Sequence, residues 1–167
     1  MPMDMIVTDE YRAAVGDAIR RYANMIFRLA FQHTGSYHDA EDVLQDVAVA
    51  MVTHHVPLDD KVHLRNWLAK VTLNRCKNIR KRRLKHPTDP LREDIPTEMP
   101  EVSDIMEHLL KLPEKYRDVL YLYYYEQYTV DEIGDILSRS RNTVGSQLRR
   151  GRERLRTILT EGGYPVE

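Results

Sequence analysis

The sequence predicts an all-α protein made of two small helical domains joined by a proline-rich acidic linker. Its 167 residues are 42% hydrophobic and 31% charged, which is typical of a folded chain rather than a disordered one. Only seven residues are glycine, and apolar residues recur at helical spacing along most of the chain. Hairpin turn signals and internal repeats do not occur, and the length suits one ordinary domain or two small ones.

The net charge of −1 conceals a strong segregation of charge along the chain. Residues 1–60 carry four basic and ten acidic side chains, whereas residues 61–86 carry ten basic and no acidic ones. Residues 87–138 carry four basic and thirteen acidic side chains, and residues 139–167 carry seven and three. The two basic segments predict surfaces that face a polyanion, and the acidic segments need a separate explanation.

Several classes of function have no support in the sequence. No run of 18 apolar residues occurs, the N-terminus lacks the order of a signal peptide, and the single cysteine excludes an internal disulfide framework, so we expect a cytoplasmic protein. His54, His55 and His63 surround a loop without metal-ligand spacing, and neither a phosphate-binding glycine loop nor a nucleophile elbow is present, so neither an enzyme nor a cofactor is expected. Two basic residues flank Cys76 and would lower its pKa, but we interpret it as an inert, partly buried thiol.

The first two predicted helices are amphipathic. One begins at Thr8, an N-cap followed by two acidic residues, and ends near Gly35, although Gly16 leaves an earlier break open. The next begins near Ser36 and has two contrasting sides. Its apolar side carries Ala40, Val43, Leu44, Val47, Ala48 and Met51, and its polar side carries Glu41, Asp42, Gln45 and Asp46.

The third predicted helix, about residues 62–84, carries the first basic segment. Its inward positions are Leu64, Leu68, Val71 and Ile79, and its basic run is Arg80, Lys81, Arg82 and Arg83. Such a surface binds phosphates without reading sequence, because each neutralised phosphate releases counterions. Recognition of the base sequence would come from Asn74, Arg75 and Asn78, since Asn can form paired hydrogen bonds to a base edge. Trp67 could stack on an unpaired base, although a lone Trp beside leucines is more often a core residue.

A segment without apolar periodicity separates the two domains. Residues 86–102 read HPTDPLREDIPTEMPEV, with four prolines and five acidic residues. Proline at this density prevents a helix and favours an extended spacer. We therefore interpret residues 1–85 as the first domain, 86–102 as a linker, 103–160 as the second domain and 161–167 as a tail. The alternative is that the linker packs as an ordered loop.

The second domain has four predicted helices, the last two of which form a helix-turn-helix pattern. The helices are residues 103–111, 114–125, 130–137 and 141–159. Thr129 and Glu132 form a capping box at the start of the third, and Gly134 would let a second helix cross closely. From Ile133 to Leu155 the chain reads IGDILSRSRNTVGSQLRRGRERL, a short helix, a tight turn and an arginine-rich helix that Ser140 can cap.

The side chains of the last helix divide into a buried stripe and an exposed face. At 100° per residue, Val144, Leu148, Gly151, Leu155 and Ile158 all fall within about 40° of one line. Asn142, Ser146 and Arg149 lie opposite, Thr143 and Arg150 flank one side, and Arg141 and Arg152 flank the other. This layout is typical of a helix-turn-helix, in which residues near the start of the second helix contact base edges and the flanking groups contact phosphates. The alternative is a basic helical hairpin on a protein surface.

Three stretches, in one order, resemble the extracytoplasmic-function (ECF) sigma factors of bacterial RNA polymerase over roughly residues 20–159. HTGSYHDAEDVLQDV resembles the segment of that family that binds core polymerase. LRNWLAKVTLNRCKNIRKRR resembles the helix that melts the promoter and recognises the −10 element. LPEKYRDVLYLYYYEQYTVDEIGDILSRSRNTVGSQLRRGRERLR resembles the −35-binding domain. The resemblance implies a transcription initiation factor with core polymerase, promoter DNA and an anti-sigma factor as partners.

Roles for individual residues follow from the resemblance. It implies that Glu41, Asp42, Gln45 and Asp46 face the clamp helices of the polymerase, and that the loop of about residues 53–62 receives a flipped base. The −10 DNA would be bound by Trp67, Asn74, Arg75, Asn78, Arg80, Lys81, Arg82 and Arg83. The −35 DNA would be bound by Arg141, Asn142, Thr143, Ser146, Arg149, Arg150 and Arg152.

The chain departs from the family pattern at a few positions. The family usually has Gly and then an apolar residue where this chain has Ser138 and Arg139, a basic residue where it has Gly145, and an acidic residue where it has Asn78. These departures bear on the −35 sequence preference and not on the fold. The alternative function is a stand-alone helix-turn-helix regulator, which would leave the basic segment on the wrong domain and the acidic helix face without a role.

Overall fold

The computed structural model describes residues 7–85 and 104–162. These residues form helices joined by turns and short loops, with no strand among them, and the predicted all-α fold is confirmed. The linker assigned to residues 86–102 and nearly all of the tail assigned to 161–167 lie outside the described residues. Among the described helices, none combines the length and the apolar character that crossing a membrane would require.

Three helices form the first domain: α1 (Asp9–Thr34), α2 (Tyr37–Thr53) and α3 (Lys61–Lys85). The backbone N–H of Tyr11 donates to the Thr8 hydroxyl, which caps α1 as predicted. Gly35 ends α1 in the left-handed conformation, with φ 68°, which glycine adopts without steric cost. The helix continues through Gly16, so the earlier break left open by the sequence does not occur.

The apolar stripes of α2 and α3 pack with α1 in the core of the first domain, with small shifts from the predicted sets. On α2, Ala40, Val43, Val47 and Met51 are buried as predicted, whereas Leu44 and Ala48 are half-buried and Ala50 is buried. On α3, Leu64 and Leu68 are buried, and Val71 and Ile79 are half-buried. The buried arc of α3 also includes Thr72, Leu73 and Cys76, because α3 packs against α6 of the second domain as well as against α1 and α2.

The second domain contains α4 (Asp104–Leu109), α5 (Glu114–Leu120), α6 (Val130–Leu137) and α7 (Arg141–Glu161). The predicted helix over 114–125 is not uniform, because a π-helical turn (Tyr121–Tyr125) follows α5 directly. A π turn inserts an extra residue and shifts the register. Tyr121 and Leu122 are consequently buried, while the next three tyrosines are exposed.

The helix-turn-helix forms as the sequence predicts, with one correction. Thr129 and Glu132 make the capping box in both directions, at 3.1 and 2.8 Å, and Ser140 caps α7. Gly134 was predicted to admit a crossing helix, but the close neighbour is the turn itself. A Cβ built at Gly134 would lie 2.7 Å from the backbone oxygen of Arg139. Because Ser138 has φ 55°, the chain turns back over α6 at once and places this carbonyl against the glycine.

Candidate protein and nucleic-acid interfaces

The polar side of α2 is an exposed, mainly acidic surface. Glu41, Asp42, Gln45 and Asp46 are all exposed, and the side chains of Val43 and Val47 between them are fully buried. A side-chain hydrogen bond with Glu41 raises the pKa of Tyr37 at the start of the same helix. This acidic face carries three negative charges on a rigid helix, which suits a basic partner surface.

The side chains of α3 predicted to bind DNA make two different kinds of contact. Arg75, Asn78, Lys81 and Arg82 line an open cleft of about 500 Å³ together with Asp46 of α2. Asn74 is exposed one helical turn before Asn78. Arg80 instead forms an ion pair with Glu114 of the second domain. The side chain of Arg83 lies outside the described residues.

The loop between α2 and α3 is fixed on both sides by aromatic contacts. Trp67 is half-buried, and its ring centroid lies 6.4 Å from that of His54 in an edge-on arrangement. On the other side, the ring of Tyr11 stacks on His55 at 5.5 Å, and His55 has a left-handed φ of 47°. The Tyr11 hydroxyl lies 3.0 Å from the backbone oxygens of both Met51 and Val56. These contacts hold the loop that the family resemblance predicts to receive a flipped base.

Sequence reasoning missed Tyr11 because the first twenty residues match no family motif. The one available signal is an aromatic residue within the otherwise polar first turn of α1, DEYR. A tyrosine at such a position needs a partner for its hydroxyl once it is partly buried. Burial raises the pKa of Tyr11 above its ordinary value, which already keeps the hydroxyl protonated and able to donate at neutral pH.

Tyr11→Phe is expected to loosen the loop while keeping the ring contact. The variant removes the hydroxyl group that donates to the two carbonyl oxygens. Loss of such a hydrogen bond lowers the free energy of unfolding by about 0.5–1.5 kcal/mol. Amide hydrogen exchange should accelerate at His55 and Val56. Tyr22→Phe, a variant eleven residues further along α1, is the control. Equal acceleration in both variants would contradict a specific role for Tyr11.

The start of α7 and the start of α5 together form a concave patch. Asn142, Thr143, Ser146 and Arg150, all predicted to contact DNA, line a depression of about 310 Å³ with Lys115, Tyr116 and Gln147. Ser146 is half-buried there, because α5 lies alongside α7. Lys115 and Gln147 were not among the predicted residues. Lys115 was not predicted as a DNA contact because it belongs to an acidic segment of the sequence.

The remaining arginines predicted on α7 do not line this depression, and two of them have partners. Arg149 is exposed and does not line it. A guanidinium nitrogen of Arg141 lies 3.4 Å from Asp131 of α6, and both side chains are exposed. Arg152 donates to the Tyr124 hydroxyl at 2.9 Å. The exposed ion pair is worth at most about 1 kcal/mol, so Arg141 can leave it to bind a phosphate.

Cys76 and one cluster of potential metal ligands have structural explanations. Burial raises the pKa of the Cys76 thiol well above its ordinary value, and the carboxylates of Asp118 and Asp39 add to the shift, so an inert thiol is the better interpretation. Within the described ranges, ligand atoms of His33, Glu114 and Asp118 lie within 4.8 Å of one another. Each ring nitrogen of His33 already faces a carboxylate, Asp118 at 3.0 Å and Glu114 at 3.2 Å, which accounts for the cluster without a metal.

Comparison with protein families identifies both domains. Residues 18–85 match the model of sigma-70 region 2, and residues 103–155 match the model of sigma-70, region 4. The chain is 28% identical over 168 residues to the ECF RNA polymerase sigma factor SigW of Bacillus subtilis, with coverage of 89% of this chain and 90% of SigW. It is 29% identical over 158 residues to the ECF RNA polymerase sigma factor SigE of Mycolicibacterium smegmatis, with coverage of 87% of this chain and 61% of SigE.

Two solved structures share the fold. One is the sigma factor RpoE in complex with the anti-sigma factor NepR from Bartonella quintana, with a TM-score of 0.67, 19% identity, and coverage of 86% of this chain and 97% of RpoE. The other is CnrH in complex with the cytosolic domain of CnrY, with a TM-score of 0.63, 21% identity, and coverage of 88% of each chain. The two family matches and the curated relatives show that the chain belongs to the sigma-70 family, in its extracytoplasmic-function group of transcription initiation factors.

Proposed function

We propose that the protein binds core RNA polymerase through the acidic face of α2 and directs it to promoters through α3 and α7. The main support is that the first domain carries opposite charges on neighbouring helices. Asp46, from the acidic face, and Arg75, Lys81 and Arg82, from the basic face, border the same cleft. A domain with this layout can contact a basic protein surface on one side and nucleic acid on the other.

In this proposal α3 and the loop before it act on the −10 element. Extruding a base from a duplex costs a few kcal/mol and requires a place to receive it. The loop fixed by Tyr11 and Trp67 would provide that place, and the exposed Asn74 and Asn78 would contact base edges. The half-buried Trp67 leaves part of its ring available for stacking.

The concave patch on α7 would contact the −35 element. Asn142 and Ser146 would contact base edges, and Arg150, with Lys115 beside it in the same depression, would hold phosphates. Each domain offers only a small basic surface, so each should bind DNA weakly by itself and with a steep dependence on salt. Held together on the polymerase, the two domains would gain affinity through effective concentration.

One further partner and a location belong to the proposal. Two relatives in fold are described in complexes with the anti-sigma factor NepR and with the cytosolic domain of CnrY. We extend the first of these to this chain and propose that an anti-sigma factor regulates it. A protein that works on polymerase and promoter DNA acts in the cytoplasm, and that is the location we propose.

Asn142→Ala and Arg150→Ala should weaken DNA binding in different ways. If Asn142 contacts a base, its loss should cost about 1–3 kcal/mol at promoters with a good upstream element and little elsewhere. Arg150→Ala should weaken all sequences alike and reduce the salt slope by about one. Transcription from promoters with matched and scrambled −35 elements separates the two effects. Identical behaviour of the two variants would contradict the assigned faces.

A pull-down with purified bacterial core polymerase tests the proposal as a whole. The full-length chain should form a stable complex with core polymerase in the absence of DNA. Free protein that binds one duplex tightly and selectively at physiological salt, and that does not bind polymerase, would favour the stand-alone regulator.

A further inference from the structure

Arg139 lies in the turn of the helix-turn-helix, and its side chain contacts two neighbouring helices. Its backbone is fixed, because its N–H donates to the Gly134 oxygen at 2.9 Å and its own oxygen lies against the same glycine. Its side chain is half-buried. One guanidinium nitrogen donates to the side-chain oxygen of Gln147 at 2.8 Å and to the backbone oxygen of Lys115 at 3.3 Å. Arg139 therefore links the turn to both α5 and α7.

The contact with Arg139 fixes the orientation of the Gln147 side-chain amide. A guanidinium carries only N–H donors, so it can pair with the oxygen of a side-chain amide and not with its nitrogen. The oxygen of Gln147 is therefore directed at Arg139, and the NH2 group is directed away from it. Gln147 is also one of the residues that line the depression between α5 and α7. In that depression Gln147 acts as a hydrogen-bond donor.

Gln147 lies on the flank of α7 assigned to phosphates and not on the face assigned to bases. It comes four residues after Thr143 and three residues before Arg150, and these spacings place residues on one side of a helix. Its side chain is half-buried, whereas that of Asn142 on the base-directed face is exposed. Side-chain donors at the edge of a DNA-binding surface contact the sugar–phosphate backbone, which positions a protein without reading sequence.

The depression that Gln147 lines is positively charged. Of the described residues around it, Lys115 and Arg150 are cationic and none is acidic. The Lys115 ammonium lies 5.1 Å from the centre of the Tyr116 ring, and this cation–π contact holds it beside α7. The volume of about 310 Å³ is large enough for a phosphate group. The oxygens of a phosphodiester only accept hydrogen bonds, so they suit two cations and a fixed amide donor.

We infer that Gln147, Lys115 and Arg150 together bind one phosphate of the DNA backbone. Arg139 is the positioning residue that holds Gln147 as a donor to that phosphate. The inference rests on the proposed function, because it names a contact of α7 with −35 DNA. The bound phosphate fixes the register of α7 on the duplex. An apolar side chain in place of Arg139 leaves the Gln147 amide able to turn, and its oxygen then repels the phosphate.

The test measures binding of the full-length protein, assembled with core polymerase, to promoter duplexes that carry one uncharged methylphosphonate each. The methylphosphonate replaces the phosphates of the −35 element one at a time. In the wild type, replacement of one particular phosphate should weaken binding by about tenfold. Gln147→Ala should bind normal DNA less tightly and should lose most of the sensitivity at that phosphate.

Gln147→Glu gives the opposite response at the same phosphate. Its carboxylate keeps an oxygen facing Arg139 but repels the phosphate, so it should bind normal DNA more weakly than Gln147→Ala does. Neutralising that phosphate removes the repulsion, so the methylphosphonate should strengthen binding of this variant while it weakens binding of the wild type. A change of sign at one phosphate is not expected from a general loss of stability.

Variants of Arg139 test its positioning role. Arg139→Met should reduce the effect of the methylphosphonate at that phosphate, although Gln147 is still present. Arg139→Lys keeps a donor for the Gln147 oxygen and should restore the effect, and it serves as the test if Arg139→Met does not fold. Arg156→Met, which changes an exposed arginine of α7 outside the depression, is the matched control and should leave the pattern along the −35 element unchanged.

Three results would overturn the inference. The first is a methylphosphonate effect that persists undiminished in Gln147→Ala. The second is a change of base preference at one −35 position in Gln147→Ala, which would make Gln147 a base contact. The third is a folded Arg139→Met variant with the full wild-type effect, which would leave Arg139 with a structural role only. A wild-type complex that responds to no change of base or phosphate in the −35 element would instead overturn the proposed function.

Discussion

The double variant Asp42→Lys, Asp46→Lys is expected to lose binding to core polymerase and to keep its fold. Both side chains are exposed, and their helix is held by the buried Val43 and Val47. Substitution at such positions changes stability by about 0.5 kcal/mol or less. If the acidic face meets a basic helix of the polymerase, placing like charges opposite each other costs several kcal/mol. The affinity should then fall by at least about a hundredfold.

Three measurements on this variant separate the explanations. Thermal stability and binding to a pre-melted −10 oligonucleotide should remain near wild type, while polymerase binding collapses. Asp17→Lys with Asp59→Lys reverses two exposed charges of the same domain outside the acidic face and should leave polymerase binding intact. Polymerase affinity that is unchanged in the Asp42 and Asp46 variant would mean that this face is only a solvated surface.

Gly134→Ala is expected to damage the helix-turn-helix, although alanine normally favours a helix. The new methyl group would lie 2.7 Å from the backbone oxygen of Arg139, which belongs to a turn and cannot move like a flexible side chain. Overpacking of this kind costs about 1–3 kcal/mol. The turn would have to shift, and with it the start of α7 that Ser140 caps. Unfolding temperature and −35 DNA binding should therefore fall together.

Gly145→Ala, on α7, is the matched control for Gly134→Ala. A Cβ at Gly145 would meet nothing within 4 Å. Replacing glycine by alanine in an exposed helix interior stabilises it by about 0.8–1.0 kcal/mol. The two substitutions are chemically identical and should shift the unfolding temperature in opposite directions. A stabilising effect of Gly134→Ala would show that the Arg139 carbonyl is not fixed against α6.

The helices could be predicted because their signals are local. Thr8, Ser36, Thr129 and Ser140 each precede a helix and each caps it in the structure. The stripe of α7 is buried at Val144, Leu148 and Gly151, as the 100° periodicity indicates. The π-helical turn could not be predicted, since the five residues YLYYY carry no local signal that distinguishes it from an α-helix.

The contacts between the two domains lacked any local signal. The Gln32 side chain donates to the buried Asp118 carboxylate at 2.8 Å, but the two residues are 86 positions apart and neither belongs to an apolar period. A buried pair of polar residues depends on the mutual arrangement of two domains, which periodicity within one helix does not report. The acidic charge of residues 87–138 did indicate that an explanation was needed, and the contacts of Glu114 and Asp118 with the first domain supply part of it. The partners of Tyr11 are similarly distant in sequence, 40 and 45 residues away.

Run-off transcription with purified core polymerase is the most direct test of the central claim, that this chain directs polymerase to promoters. Linear templates from a promoter library should yield discrete transcripts only when the protein is added, with start points set by paired −35 and −10 elements. Mutation of either element should reduce the transcript, and the Asp42→Lys, Asp46→Lys variant should give none. Core polymerase that starts at the same positions with and without the protein would contradict the claim.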